Sequence, residues 1–207
     1  MTDRPETDRT AMADAPATTV ASARSGASGV LAKRWPTALA LLVSAPSFAG
    51  PQTPEGVHAL AEAMLLLPLW YVLIAALARR SWTWFVLVGV IGLFVLLRMQ
   101  DRVEPPTVLM AIGLAAVLWG AARGRLVQPS FLLQVAGLVA FGALAVAGFL
   151  LAPGVGRYVV AAGWFAHGLW DLAHLRADAG VARSGAEWCA MVDVLIAVQL
   201  VVLPLVL

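Results

Sequence analysis

The chain has 207 residues, of which 61% are hydrophobic and 13% charged, against about 45–50% and about 25% in an ordinary soluble domain. Both values are displaced toward lipid as the solvent, which excludes a disordered chain and a disulfide-stapled secreted one. The net charge of +2, from 14 Lys+Arg and 12 Asp+Glu, supplies no clustered basic face, so no nucleic-acid partner is expected. A single cysteine, Cys189, rules out an internal disulfide and a multi-thiolate zinc knuckle.

In chain order, residues 1–34 come first and differ from the rest. They are rich in Ala, Thr, Ser, Asp and Arg and have no apolar period, so they cannot bury enough surface to offset their ordering entropy and are expected to form a disordered cytoplasmic tail. Residues 35–207 form the membrane domain. A helix needs about 20 apolar residues to cross a hydrocarbon core of about 30 Å. The apolar runs fall at 36–50, 58–78, 82–98, 107–122, 130–152, 156–175 and 187–207, separated by short joints rich in Pro, Gly and Arg. Such long continuous runs exclude barrel strands, which alternate over about ten residues. The expected fold is an all-α polytopic transmembrane bundle of about seven spans. The first run is short, contains Pro46 and ends in Ser47-Phe48-Ala49, so two readings stand: a retained helix, or a signal cleaved after a small-x-small site.

Orientation follows from the retention of Lys and Arg in cytoplasmic loops. Seven spans with the N-terminus inside place 11 of the basic residues inside and only Arg98, Arg102 and Arg157 outside. If 36–50 did not cross, the split would be 8 against 6. The chain is therefore read as a multi-pass protein of the cell membrane with a cytoplasmic N-terminus. Trp35, Trp82, Trp84, Trp119 and Trp188 then fall at cytoplasmic helix ends, the headgroup level that indole rings favour. Trp70, Trp164 and Trp170 lie within spans and need another explanation.

A titratable side chain at the centre of a span costs at least about 2.5–3.5 kcal/mol, so each one calls for a reason. The second run carries His58 and Glu62, the sixth His167, Asp171 and His174, and the seventh Glu187, Cys189 and Asp193. At about 100° per residue, His167, Asp171 and His174 fall within about 60° of arc and form one stripe facing the bundle interior. Counting residues from the helix ends gives an inner cluster of His174, Asp171 and Asp193, with Cys189 beside it. An outer cluster would hold His58 and Glu62, joined by Ser44 and Asp101, and His167 could serve either. Arg98, Asp101, Arg102 and Glu104 are expected in a solvated outer loop, and Glu187 at the interface. Two imidazoles and a carboxylate on one face suit a divalent metal such as zinc, with His167, Asp171 and His174 as ligands. The same groups suit acid–base work, with Asp171, Asp193 and Glu62 as candidate catalytic carboxylates. The other readings are helix-packing glue in a non-catalytic component or small carrier, and an ion path.

The stretch His167-Gly-Leu-Trp-Asp-Leu-Ala-His174, followed by Trp188-Cys-x₃-Asp193, resembles an uncharacterised group of small bacterial multi-pass membrane proteins, mainly over the C-terminal quarter. That resemblance brings no known activity with it. Membrane hydrolases of the alkaline ceramidase and adiponectin receptor type are also seven-helix bundles that bind zinc. Their late His-x₃-His pair is absent here, since Asp171 stands four residues after His167. Seven-helix membrane terpene cyclases are similar in size and use an early Glu and a late Asp, which Glu62 and Asp193 could mimic, although depth argues against their meeting. The leading expectation is an intramembrane metal or acid–base site acting on a lipid-like substrate.

Overall fold

The computed structural model describes residues 33–49, 53–100, 102–151 and 153–206, and among them there is no strand. The α-helices are α1 (Trp35–Ser44), α2 (Pro54–Met64), α3 (Leu66–Leu77), α4 (Thr83–Arg98), α5 (Pro105–Ala122), α6 (Pro129–Leu150), α7 (Pro153–Ala177) and α8 (Arg183–Val206). Prolines open several of them, at Pro36, Pro54, Pro105 and Pro129, where the missing N–H costs nothing and the fixed φ suits a first turn. Thr53 caps α2 by accepting from the Gly56 N–H at 3.1 Å. Helices α2 and α3 continue through Leu65 as one rod. Pro68 explains the interruption, because it has no N–H for the Met64 carbonyl and its ring crowds that oxygen.

Among the described residues, five helical stretches are long and apolar enough to cross a membrane: Pro54–Leu77, Arg80–Arg98, Pro105–Ala122, Pro129–Leu150 and Arg183–Val206. Their outward faces carry large exposed apolar side chains such as Phe85, Val88, Leu96 and Leu114. Water would penalise that surface and acyl chains would not, so the bundle has the build of a multi-pass membrane protein. Helix α7 is as long as these five but carries the polar stripe, and it packs against α2, α6 and α8. The α2–α3 rod lies at the centre, touching α4, α5, α6 and α7.

The first expected span is shorter than the sequence implied. Helix α1 ends at Ser44 and a 3₁₀ turn covers Ala45–Ala49, because Pro46 cannot continue the α-helical ladder. At about 1.5 Å per α-helical and about 2.0 Å per 3₁₀ residue, the two together reach about 25 Å. The segment packs along α8. At its start, Thr37 Oγ1 donates to Glu187 Oε1 at 2.6 Å and Arg34 lies 3.3 Å from the same oxygen.

The α3–α4, α5–α6 and α7–α8 joints gather at one end of the bundle. Arg80 donates to the Val181 carbonyl and pairs with Asp178 at 2.8 Å, and the Ala182 N–H donates to Thr83 Oγ1 at 2.9 Å. The guanidinium of Arg80 holds the exposed Asp178 carboxyl below the usual carboxylate range, mainly through this hydrogen bond. Trp35, Trp84 and Trp188 cluster there with ring centroids 5.2 and 5.9 Å apart.

Candidate functional site

The stripe on α7 does face inward. His167 and Asp171 are fully buried and His174 nearly so, and Asp193 and Cys189 of α8 are buried beside them. Gly168 lets the two helices approach this closely: a Cβ there would stand 3.3 Å from the Asp193 Cβ and 3.4 Å from the Ala190 carbonyl oxygen. Small residues permit such backbone contact between membrane helices.

His167 sits at the centre of the group. Its Nδ1–H donates to Asp193 Oδ2 at 2.8 Å, and the same nitrogen lies 3.3 Å from Asp171 Oδ2. The second oxygen of Asp171, Oδ1, accepts a 2.6 Å hydrogen bond from the Tyr71 hydroxyl of α3. The Cys189 thiol lies 3.8 Å from Asp193 Oδ1. Ligand-type atoms of His167, Asp171, Cys189 and Asp193 all fall within 4.8 Å of one another. Phe141 closes the wall edge-on to the His167 ring at 4.8 Å. Two buried atoms in this group have no hydrogen-bond partner, His167 Nε2 and Asp171 Oδ2. A polar atom so placed costs about 1–3 kcal/mol unless something satisfies it.

His174 does not belong to that ligand group. Its Nδ1–H donates to the Trp170 carbonyl at 2.9 Å, and its Nε2 accepts from the Gln134 side-chain amide at 3.0 Å. A ring with one donating and one accepting nitrogen is the neutral imidazole. Tyr71 contacts both imidazoles, with its ring centroid 4.9 Å from that of His174 and 5.7 Å from that of His167.

No known protein family, curated protein or solved structure matches the chain. What the group can do must therefore be argued from its own geometry.

The expected inner cluster exists, but with His167 at its heart in place of His174. The physical reason is helix length. Helix α7 runs to Ala177 and α8 begins at Arg183, beyond the apolar limits from which depth was counted. Asp193 and His167 each stand ten residues from those ends, since 193 − 183 and 177 − 167 agree. At about 1.5 Å per residue both lie about 15 Å deep, near the middle of a hydrocarbon core of about 30 Å. Asp171 and Tyr71 match in the same way, each six residues from its helix end, because 177 − 171 and 77 − 71 are equal.

The outer residues do not assemble as expected. Glu62 is buried and pairs with Arg98 at 2.9 Å, so Arg98 reaches back from the end of α4 instead of standing in a solvated loop. A carboxylate held in a low-dielectric wall draws in the nearest cation. His58 is exposed and lies edge-on to Phe149 at 6.1 Å. Ser44 is buried on α1, while Asp101 lies outside the described residues. Glu62 is thus committed to Arg98 and Asp193 to His167, so the early-Glu, late-Asp pairing does not form. The tryptophans within spans are also explained. The Trp70 indole donates to the Thr83 carbonyl at 2.9 Å and that of Trp164 to the Leu60 carbonyl at 3.1 Å. Trp170 lies against His174, with centroids 5.0 Å apart.

Sequence reasoning missed Tyr71 and Gln134. Neither carries a charge at neutral pH, so a search for titratable groups inside spans passes over both. A signal existed for each. Tyr71 lies six residues inside its helix, deeper than an interfacial ring should, and Gln134 is an amide in an otherwise apolar run.

Proposed function

We propose that the protein is a multi-pass enzyme of the cell membrane whose His167–Asp171–Cys189–Asp193 centre binds a divalent metal such as zinc and works on a lipid-like substrate. The observation carrying this reading is the convergence of four buried ligand-type side chains whose donor atoms lie within 4.8 Å of one another, with Asp171 Oδ2 left without a hydrogen-bond partner. Charge balance supports it. Two carboxylates lie in this dry interior, and a bound cation would let both stay ionised where protonation must otherwise neutralise them. The donor set of one nitrogen, one sulfur and two carboxylates lies within the range zinc accepts.

When bound, such a metal polarises an oxygen of the substrate and favours ionisation of a coordinated water. The chain's own residues would orient and supply protons. Tyr71 fixes the rotamer of Asp171 through its hydroxyl, as outer partners of metal ligands do. His167 Nδ1 directs its proton to Asp193 Oδ2 in the metal-free protein. His167, Asp171, Cys189 and Asp193 are the residues that would hold the ion. Helix ends rich in Arg and Trp support a cytoplasmic placement of the end that carries Arg34, Arg80 and Trp84, and with it a cytoplasmic N-terminus. Elemental analysis of the purified protein tests the proposal. About one metal per chain is expected, falling sharply in His167→Ala and Asp193→Asn, and its absence from the unaltered protein refutes the metal reading.

A second reading has its own observation: the bonds from Tyr71 to Asp171 and from His167 to Asp193 tie α3, α7 and α8 together with no metal required. On that reading the group is helix-packing glue. Neither metal nor ligand would then protect against unfolding.

A further inference from the structure

At the basic end of the bundle, beside the buried centre, lies a pocket of about 260 Å³. Its lining includes Arg79, Arg80, Arg125, Gln134 and His174, and no carboxylate. Arg80 is occupied by Asp178 and the Val181 carbonyl. Arg79 and Arg125 have no carboxylate partner among the described residues; Arg79 lies 5.7 Å over the Trp82 ring. Gln134, although almost fully buried, leaves Oε1 without a hydrogen-bond partner, and Arg125 Nε is likewise unpartnered. The pocket therefore presents two guanidinium charges, of Arg79 and Arg125, that no carboxylate in its lining offsets. Each water occupies about 30 Å³ in the liquid, so the space equals about eight or nine waters. A phosphate headgroup fits within that space and matches that charge.

One wall reaches the outer face of the bundle. Leu133, about half exposed on α6, lines the same pocket, so an apolar tail could follow it outward. The inner wall meets the centre described above. Gly180, held at φ +74°, folds the α7–α8 joint over His174 and Tyr71; a Cβ there would stand 2.8 Å from His174 Cδ2 and 3.2 Å from Tyr71 Cε1. Only a residue tolerant of positive φ and lacking a side chain fits. Tyr71 in turn donates to Asp171. The pocket and the buried centre are thus separated by one aromatic ring.

We infer that this pocket binds the phosphate of an anionic lipid headgroup, with Arg79 and Arg125 as the anion-binding residues. Guanidinium groups suit phosphate because they offer parallel N–H donors to its oxygens. This deepens the function proposed above by naming the class of lipid, and it rests on that reading only for the purpose of the binding. The test therefore uses metal-free protein, so that loss of one claim leaves the other standing.

The purified full chain, stripped of metal in a neutral detergent, is unfolded thermally while short-chain phosphatidic acid, phosphatidylcholine of the same acyl length, or sodium phosphate is titrated in. Phosphatidic acid should raise Tm, and Arg79→Gln combined with Arg125→Gln should weaken its apparent affinity by about tenfold or more, as expected for lost charge-assisted bonds. If that variant does not fold, added salt should shrink the lipid-induced shift in the unaltered chain. Equal stabilisation by sodium phosphate alone would overturn the lipid assignment. Equal stabilisation by phosphatidylcholine, or a shift indifferent both to the variant and to salt, would overturn the site.

Discussion

Replacing Asp193 by Asn separates a metal centre from a knot of hydrogen bonds. The variant keeps the shape of the side chain and an acceptor oxygen for the His167 Nδ1–H, 2.8 Å away. Without metal, a charge-assisted bond of about 1.5–3 kcal/mol becomes a neutral one of about 0.5–1.5 kcal/mol. Removing one of the two carboxylates that share a single imidazole offsets part of that loss. Metal-free stability should therefore change by no more than about 1 kcal/mol, within the range of about 0.6 to 1.7 kcal/mol measured for interhelical bonds in membranes. With metal the contrast is larger. At a free concentration 100 times Kd, a bound ion stabilises the folded chain by about 2.7 kcal/mol. If losing a carboxylate ligand raises Kd about 100-fold, the same concentration gives only RT ln 2, about 0.4 kcal/mol. The assay is unfolding in detergent with and without added zinc, for the unaltered chain and for Asp193→Asn. Zinc protection that persists undiminished in the variant would refute Asp193 as a ligand, and no protection in either chain would refute the centre.

The other predictions concern its supports and its neighbours. Tyr71→Phe removes the hydroxyl bonded to the buried Asp171 and should cost about 1–3 kcal/mol in the same unfolding assay, with metal affinity reduced about 10- to 100-fold as for other outer partners. Gly168→Val inserts a branched side chain where even a Cβ is tight. It should cost about 1–3 kcal/mol by overpacking and weaken metal binding by moving Asp193 away from His167, which titration calorimetry would register. Glu62→Gln, at a pair whose arginine is 43% exposed, should change stability by less than about 1 kcal/mol and leave metal content intact; a lost metal would place Glu62 in the site after all. His174→Gln should likewise spare metal content while loosening the Gln134 contact, and a metal-free variant would return His174 to the ligands.

Much of the fold was legible because lipid imposes a simple demand. Every backbone group must be satisfied within the span, so long apolar runs become helices, and the order of the runs is the order of the helices. The ends were less legible. Polar residues such as Arg176, Arg183 and Ser184 continue α7 and α8 past their apolar limits, since a helix that leaves the bilayer has no reason to stop where hydropathy does. That difference of a few residues moved the expected centre by about two turns, from His174 to His167. Pro46 acted in the opposite sense and cut α1 short of its apolar run.

The site itself was half legible for a related reason. A buried charge announces itself by its cost, so His167, Asp171 and Asp193 stood out against an apolar background. The groups that make such charges tolerable need not be charged at all. Tyr71 satisfies Asp171 with a hydroxyl and Gln134 satisfies His174 with an amide, and both cross from helices far away in sequence. Glu62 fits the same rule from the other side, because its partner, Arg98, belongs by sequence to a loop and is drawn inward by the carboxylate. In each case one half of an interaction is visible in the chain and the other is fixed only by which helices touch. A span with an unexplained titratable group thus predicts a partner on a neighbouring helix at equal depth. Counting from true helix ends, with uncharged donors included, places Tyr71 level with Asp171 and His167 level with Asp193.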